Sequence, residues 1–148
     1  VTLALAPAFW QVVGGGLGAI VLYALLGLVL MLLGFYAIDV TTPGKLNRLV
    51  RAGRPNAVAV TAAGMVSMAF IVVTAIWSSA GRLAEGLLAT LIYGLVGIVV
   101  QAVAVRLLEW VTGIDMAAVL AAEQPRAEAR VVGAAHLALG LVVAVAVL

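Results

Sequence analysis

The sequence predicts an all-α integral membrane protein, a four-helix transmembrane bundle made from two parallel helix-hairpin repeats. Three observations carry this. The 148 residues are 66% hydrophobic and 9% charged, with a mean hydropathy of +1.30, whereas a soluble domain is about 45–50% apolar and about 25% charged. A chain this short has too much surface for its volume to hide that apolar excess from water. The apolar residues form four continuous runs, each able to cross roughly 30 Å of bilayer hydrocarbon at about 1.5 Å per residue. Finally, the chain matches itself without a gap at an offset of seventy positions. One membrane domain spanning 1–148 follows.

The first run, Trp10 to Ile38, is long enough to tilt or to project from the bilayer. No basic segment precedes Leu3 to Ala8, so no cleavable signal peptide is expected, and Val1 and Leu148 leave both ends open. The second run spans Ala57 to Trp77 and the third Gly86 to Leu108; the fourth, Val131 to Leu148, only just suffices. None carries an acidic or basic residue in its middle. Continuous apolarity means helices, because the strands of a membrane barrel would alternate polar and apolar residues. Trp10, Trp77 and Trp110 lie near span ends, where indole rings form interfacial belts.

Three connections remain: Asp39 to Asn56, Ser78 to Glu85 and Glu109 to Arg130. With four spans the first and third share a side. Lys45, Arg48, Arg51, Arg54, Arg106, Arg126 and Arg130 put seven of the eight basic residues there. Lys and Arg beside spans stay cytoplasmic, so both termini are expected outside.

The repeat places Leu22-Tyr23-Ala24-Leu25-Leu26-Gly27 on Ile92-Tyr93-Gly94-Leu95-Val96-Gly97, Asp39 on Glu109, Thr42 on Thr112, and Pro55 on Pro125. Leu and Val coincidences are cheap in membrane helices; the shared Tyr, Pro, Thr and acidic positions carry the weight. Repeat one is read as about 16–78 and repeat two as about 86–148. Each contains two spans, so both enter the bilayer the same way round.

The run Gly34-Phe35-Tyr36, then Asp39, Thr42-Pro43, Asn56-Ala57-Val58-Ala59 and Gly64 resembles the signature of the YjfL-type family. These are small bacterial inner-membrane proteins classed as a domain of unknown function, number 350. The resemblance covers nearly the whole chain and implies four spans, duplicated halves and an inner-membrane location. It implies no biochemical activity. Asp39, Thr42, Pro43, Asn56, Ala57 and Gly64 are the motif positions; the second half departs from the pattern, with Arg126 where Asn is expected.

Few residues can carry chemistry. With no cysteine and one histidine, thiolate and His-rich metal sites are excluded. No acidic pair lies within the spans, no cofactor motif is present, and Gly14-Gly15-Gly16 lacks the context of a phosphate loop. Two intramembrane polar residues stand out, Gln101 and His136. Both lie roughly 8–10 Å from the cytoplasmic ends of their helices, so they could meet. They would form either a proton-relay step or an interhelical hydrogen bond. His136 shares a face with Gly133 and Gly140, which admit a close neighbour. Gly14 with Gly18, Ala59 with Ala63, Ala134 with Ala138 and Gly140 with Ala144 form further small-residue pairs.

Lys45, Arg48, Arg51 and Arg54 recur every three residues around Leu46, Leu49 and Val50. On a helix this is a basic sector beside an apolar strip, the pattern of a segment lying among headgroups. It serves either as a topology anchor or as an anionic-lipid or partner contact. The acidic segment of the third connection, with Glu109, Asp115 and Glu123, is expected to pair with the basic first connection, within a chain or between subunits. Arg48 and Arg51 are the positions at which charge reversal should rescue Asp115 and Glu123 changed to Lys. Nucleic acid is not an expected partner; the bilayer, another copy or another membrane protein is. The leading reading is a non-enzymatic accessory or scaffold that self-associates, with envelope stress as its setting by family analogy. The alternative is a small channel or transporter subunit with a polar path at Gln101 and His136.

Overall fold

A computed structural model describes residues 8–41, 45–78 and 82–148. Six helices follow in order: α1 (Phe9–Thr41), α2 (Leu46–Arg51), α3 (Pro55–Ser78), α4 (Leu83–Thr112), α5 (Met116–Ala121) and α6 (Ala127–Ala146). Of these, α1, α3, α4 and α6 are long and apolar enough to cross a membrane. The motif positions Thr42 and Pro43, and most of the Leu3 to Ala8 segment, lie outside the described residues.

Local chemistry sets the helix ends. At 33 residues, α1 is about 50 Å long and outreaches the hydrocarbon. The third span continues past Leu108 to Thr112, where Gly113 adopts φ 67° and its N–H bonds the Glu109 carbonyl at 2.8 Å. A left-handed glycine stops a helix there because no Cβ opposes it. Asp115 caps α5 by accepting from the Ala118 N–H at 3.1 Å. Pro55 opens α3, where its missing N–H costs nothing. The fourth span begins earlier than its hydropathy suggests, at Ala127, just after Pro125.

The centre of the bundle is α3, which packs most extensively on α6 and also against α4 and α1. Glycines allow this. A Cβ on Gly133 would touch the Ala63 Cβ at 3.4 Å, and one on Gly140 would overlap the Ser67 hydroxyl and stand 2.9 Å from the Ser67 Cα. On the other side of α3, Gly34 meets Met68, Gly27 meets Val72, and Gly97 faces Ile71. The two hairpins pair through positions seventy apart: Ala63 faces Gly133, and Asn56 bonds Arg126.

The pairing is not symmetric. Ile71 is 0% and Val72 8% exposed beneath α1 and α4, whereas their equivalents Leu141 and Val142 are 49% and 66% exposed. One face of α6 is therefore left uncovered among the described residues.

The first and third connections meet at one end of the bundle. There Leu46 from α2 and Met116, Val119 and Leu120 from α5 close over Ala57, Val60, Ala129 and Val132. The apolar strip of α2 thus packs on protein rather than on acyl chains, with Leu49 and Val50 against the same cluster. Burial against α3 and α5 is available at no cost in exposed backbone, so α2 docks as a lid of the bundle. Lys45, Arg48 and Arg51 remain exposed on its outer side. Trp10, Trp77 and Trp110 are all exposed, as an interfacial belt requires.

Because Ser67 has nowhere to retreat, Gly140→Ala should push α3 and α6 apart and destabilise the protein by about 1–3 kcal/mol. Thermal unfolding in detergent reads this; an unchanged midpoint would refute the close contact.

Candidate functional site

Two polar clusters lie along the α3–α6 contact. The deeper one joins three spans. Ser67 Oγ donates to the His136 carbonyl at 2.7 Å, and Gln101 Nε2 donates to Ser67 Oγ at 2.8 Å. Gln101 Nε2 also approaches Met68 Sδ at 3.5 Å, and Gln101 Oε1 lies 3.3 Å from His136 Nδ1. All three side chains are buried. Gln101 and His136, expected at similar depth, are thus brought together, and Ser67 completes the set.

The donors in this ring can be assigned in sequence. The Ser67 hydroxyl has one hydrogen, and the His136 carbonyl can only accept it. Ser67 must then accept from Gln101, which turns the amide oxygen toward His136. That oxygen can only accept, so Nδ1 carries the ring hydrogen. In an uncharged imidazole the other nitrogen, Nε2, is then a bare acceptor. Nε2 is buried without a partner among the described residues, as are Thr61 Oγ1 and Thr90 Oγ1.

Two spaces flank this cluster. A small one of about 10 Å³ lies among α1, α3 and α4, bordered by Thr61, Gly64, Met68 and Gln101. A larger groove of about 340 Å³ runs between α4 and α6 with Gln101 and His136 in its wall.

The second cluster sits at the basic end and is organised by Asn56. Its Nδ2 donates to the carbonyls of Val119 at 3.0 Å, Ala122 at 3.4 Å and Gln124 at 2.9 Å. Its Oδ1 accepts from the Arg126 N–H at 2.8 Å. One buried amide thus holds the α5–α6 link onto the start of α3. Arg126, where Asn is expected, contributes its backbone. Gly64 packs against Ile38 and Ala57 lies in the core at this end. Asp39 Oδ1 accepts from the Asn47 N–H at 2.8 Å and so steers α2 across the end of α1. Neither Ser67 nor the role of Asn56 is visible in the sequence: a serine in an apolar run is unremarked, and the partners of Asn56 are backbone atoms.

The two connections do pair electrostatically within the chain, through Arg54 and not, among the described residues, through Arg48 or Arg51. Arg54 meets Glu123 at 2.7 Å, while Asp115 takes the α5 cap instead of an arginine. Among the described residues no group of three His, Cys, Asp or Glu could hold a metal ion.

A chain of four apolar spans is in keeping with the comparisons, which match it to membrane proteins. The family described as Domain of Unknown Function (DUF350) matches residues 11–147. The chain belongs to this family. It is 42% identical over 90 residues to a UPF0719 transmembrane protein of Mycolicibacterium paratuberculosis, covering 60% of each chain. It is 40% identical over 94 residues to a UPF0719 transmembrane protein of Mycobacterium bovis, covering 63% of this chain and 59% of that one. The chain thus spans about 60% of the length of the curated relatives it matches. No solved structure matches it. It is a multi-pass membrane protein of a bacterial family whose activity has not been assigned.

Replacing Asn56 strands the carbonyls of Ala122 and Gln124 and the Arg126 N–H, while the Val119 carbonyl keeps the Ala122 N–H. Asn56→Ala should cost about 1–3 kcal/mol, and Asn56→Asp at least as much, since a carboxylate cannot donate to the three carbonyls. Chemical denaturation of both variants tests this; an Asp variant as stable as wild type would refute the assignment.

Proposed function

We propose that this protein is a non-enzymatic membrane accessory or scaffold that self-associates through α1. The observation that carries the reading is the unused small face of that helix. Gly14 and Gly18 have no described atom within 4 Å of where a Cβ would stand. Glycine inside a helix costs about 1 kcal/mol relative to alanine, and nothing in the described fold repays it. Small residues at this spacing let a second helix approach closely in lipid. The buried carboxamide and imidazole serve, in this reading, as interhelical glue, worth about 0.6–2 kcal/mol. A role in envelope stress and the YjfL-type assignment rest on family resemblance alone. The repeat units at 16–78 and 86–148 belong to the same proposal, supported by the contacts between positions seventy apart.

The test is stoichiometry in lipid. Single-molecule photobleaching in vesicles should show dimers or larger assemblies, and Gly18→Leu should weaken association at least about tenfold by removing the close-approach surface. Its thermal stability should be unchanged, because the new side chain meets nothing. A wild type that stays monomeric at every protein-to-lipid ratio would sink the proposal. The channel or transporter-subunit reading is supported by the unpartnered His136 Nε2; proton flux in the same vesicles that disappears in His136→Ala would favour it.

The basic end is proposed to face the cytoplasm, with both termini outside and Lys45, Arg48 and Arg51 against anionic headgroups. Arg54, held by Glu123, contributes less. Each such contact is worth about 1 kcal/mol. The chain has no cysteine, so single cysteines read topology cleanly. An impermeant maleimide should label Leu148→Cys in intact cells and Arg48→Cys only in inverted vesicles; the reverse pattern would reject the orientation.

A further inference from the structure

The groove between α4 and α6 has features that a scaffold role does not use. Its volume of about 340 Å³ falls in the range of about 300–1,000 Å³ typical of ligand sites. Ala104, Leu108, Leu139 and Val142 give it an apolar wall, and Gln101 and His136 are the two polar residues in that wall. Val142 and Ala138 at its mouth are exposed, so it opens sideways into the hydrocarbon and would fill from the bilayer. His136 is 1% exposed, and its Nε2 has no partner among the described residues.

The hydrogen-bond ring decides what Nε2 can take. The single hydrogen of an uncharged ring is held at Nδ1 by Gln101, whose own hydrogens go to Ser67 and Met68. Nε2 therefore carries a bare lone pair on a residue of the apolar wall, covered until the lining side chains give way to a ligand. A carbonyl, ether or ester oxygen would meet it lone pair to lone pair, whereas an O–H group would bond to it. The matching ligand is a molecule soluble in the bilayer, with an apolar chain for the groove and one hydroxyl at its end.

We propose that the α4–α6 groove binds a hydroxyl-bearing lipophile, its O–H donated to His136 Nε2. The hydroxyl could belong to a long-chain alcohol or to a phenol of the quinol type, and both present the same donor. This inference does not depend on self-association through α1, which uses another helix.

The chain contains a single histidine, so the imidazole nitrogen spectrum of a ¹⁵N-histidine-labelled sample reports His136 alone. The full chain in lipid nanodiscs would be titrated with 1-hexadecanol, with 4-dodecylphenol and with hexadecyl methyl ether. The expected result is a bare Nε2 resonance that moves saturably with the alcohol or the phenol and not with the ether. The tighter of the two names the source of the hydroxyl. Ala138→Trp, at the groove mouth and outside the hydrogen-bond ring, should weaken the response at least tenfold with an unchanged unliganded spectrum. An Nε2 already bearing hydrogen overturns the proposal, as does an equal response to the ether. So does a resonance that answers only to exchange of bulk water, or a titration that Ala138→Trp leaves untouched.

Discussion

Lipid tails are as apolar as leucine, so burying side chains does little to hold membrane helices together; close contact and hydrogen bonds must do it. The α3–α6 approach supplies both. Gly133 and Gly140 bring two backbones near enough for the Ser67 hydroxyl to reach the carbonyl of His136. Gln101 can then span from α4 to Ser67 and His136 together. Without the glycines Ser67 would be displaced and the ring would open. Placement of α4 on α3 follows from the same contact, and so does the groove beside it.

A second constraint acts outside the hydrocarbon. The basic end has a small core of its own, roofed by α2 and α5. Both helices are only six residues long, too short to persist alone, so they depend on being docked. Asp39 guides one and Asn56 anchors the link that follows the other. Asp39, Asn56 and Ala57 thus serve the joint between the spans and the lid, while Gly64 lies deeper, beside Ile38 and the space that Gln101 borders. The exposed cations on α2 are presented from a fixed platform, not from a loose amphipathic segment.

Much of this was legible in the sequence because hydropathy and charge placement act over long stretches. The four spans, the shared side of the two long connections and the similar depth of Gln101 and His136 all follow from counting along helices. The glycine face of α6 was legible too, since Gly133, His136 and Gly140 recur at helical spacing. What covers a face is a different matter. The apolar strip of Leu46, Leu49 and Val50 was readable, but periodicity does not say whether protein or acyl chain lies against it. The ion pair fell on Arg54, which follows the turn at Gly53, φ 68°, and not on Arg48 or Arg51 within α2. Asn56 was visible only as a motif letter, because every one of its partners is a peptide group and leaves no mark in composition.

Asn56 also bears on how a duplicated protein uses its halves. In a pair of identical hairpins related by a twofold axis, each would bring its own asparagine to the junction, and neither could change without the other. Here a single amide serves the whole junction, and position 126 meets it through main chain alone. Within one chain a single such side chain suffices for the junction. A relaxed position can carry an arginine, and the face of α6 that does not copy α3 can stay open. The start of α3 holds the joint for both hairpins, and the side chain at position 126 takes no part in it.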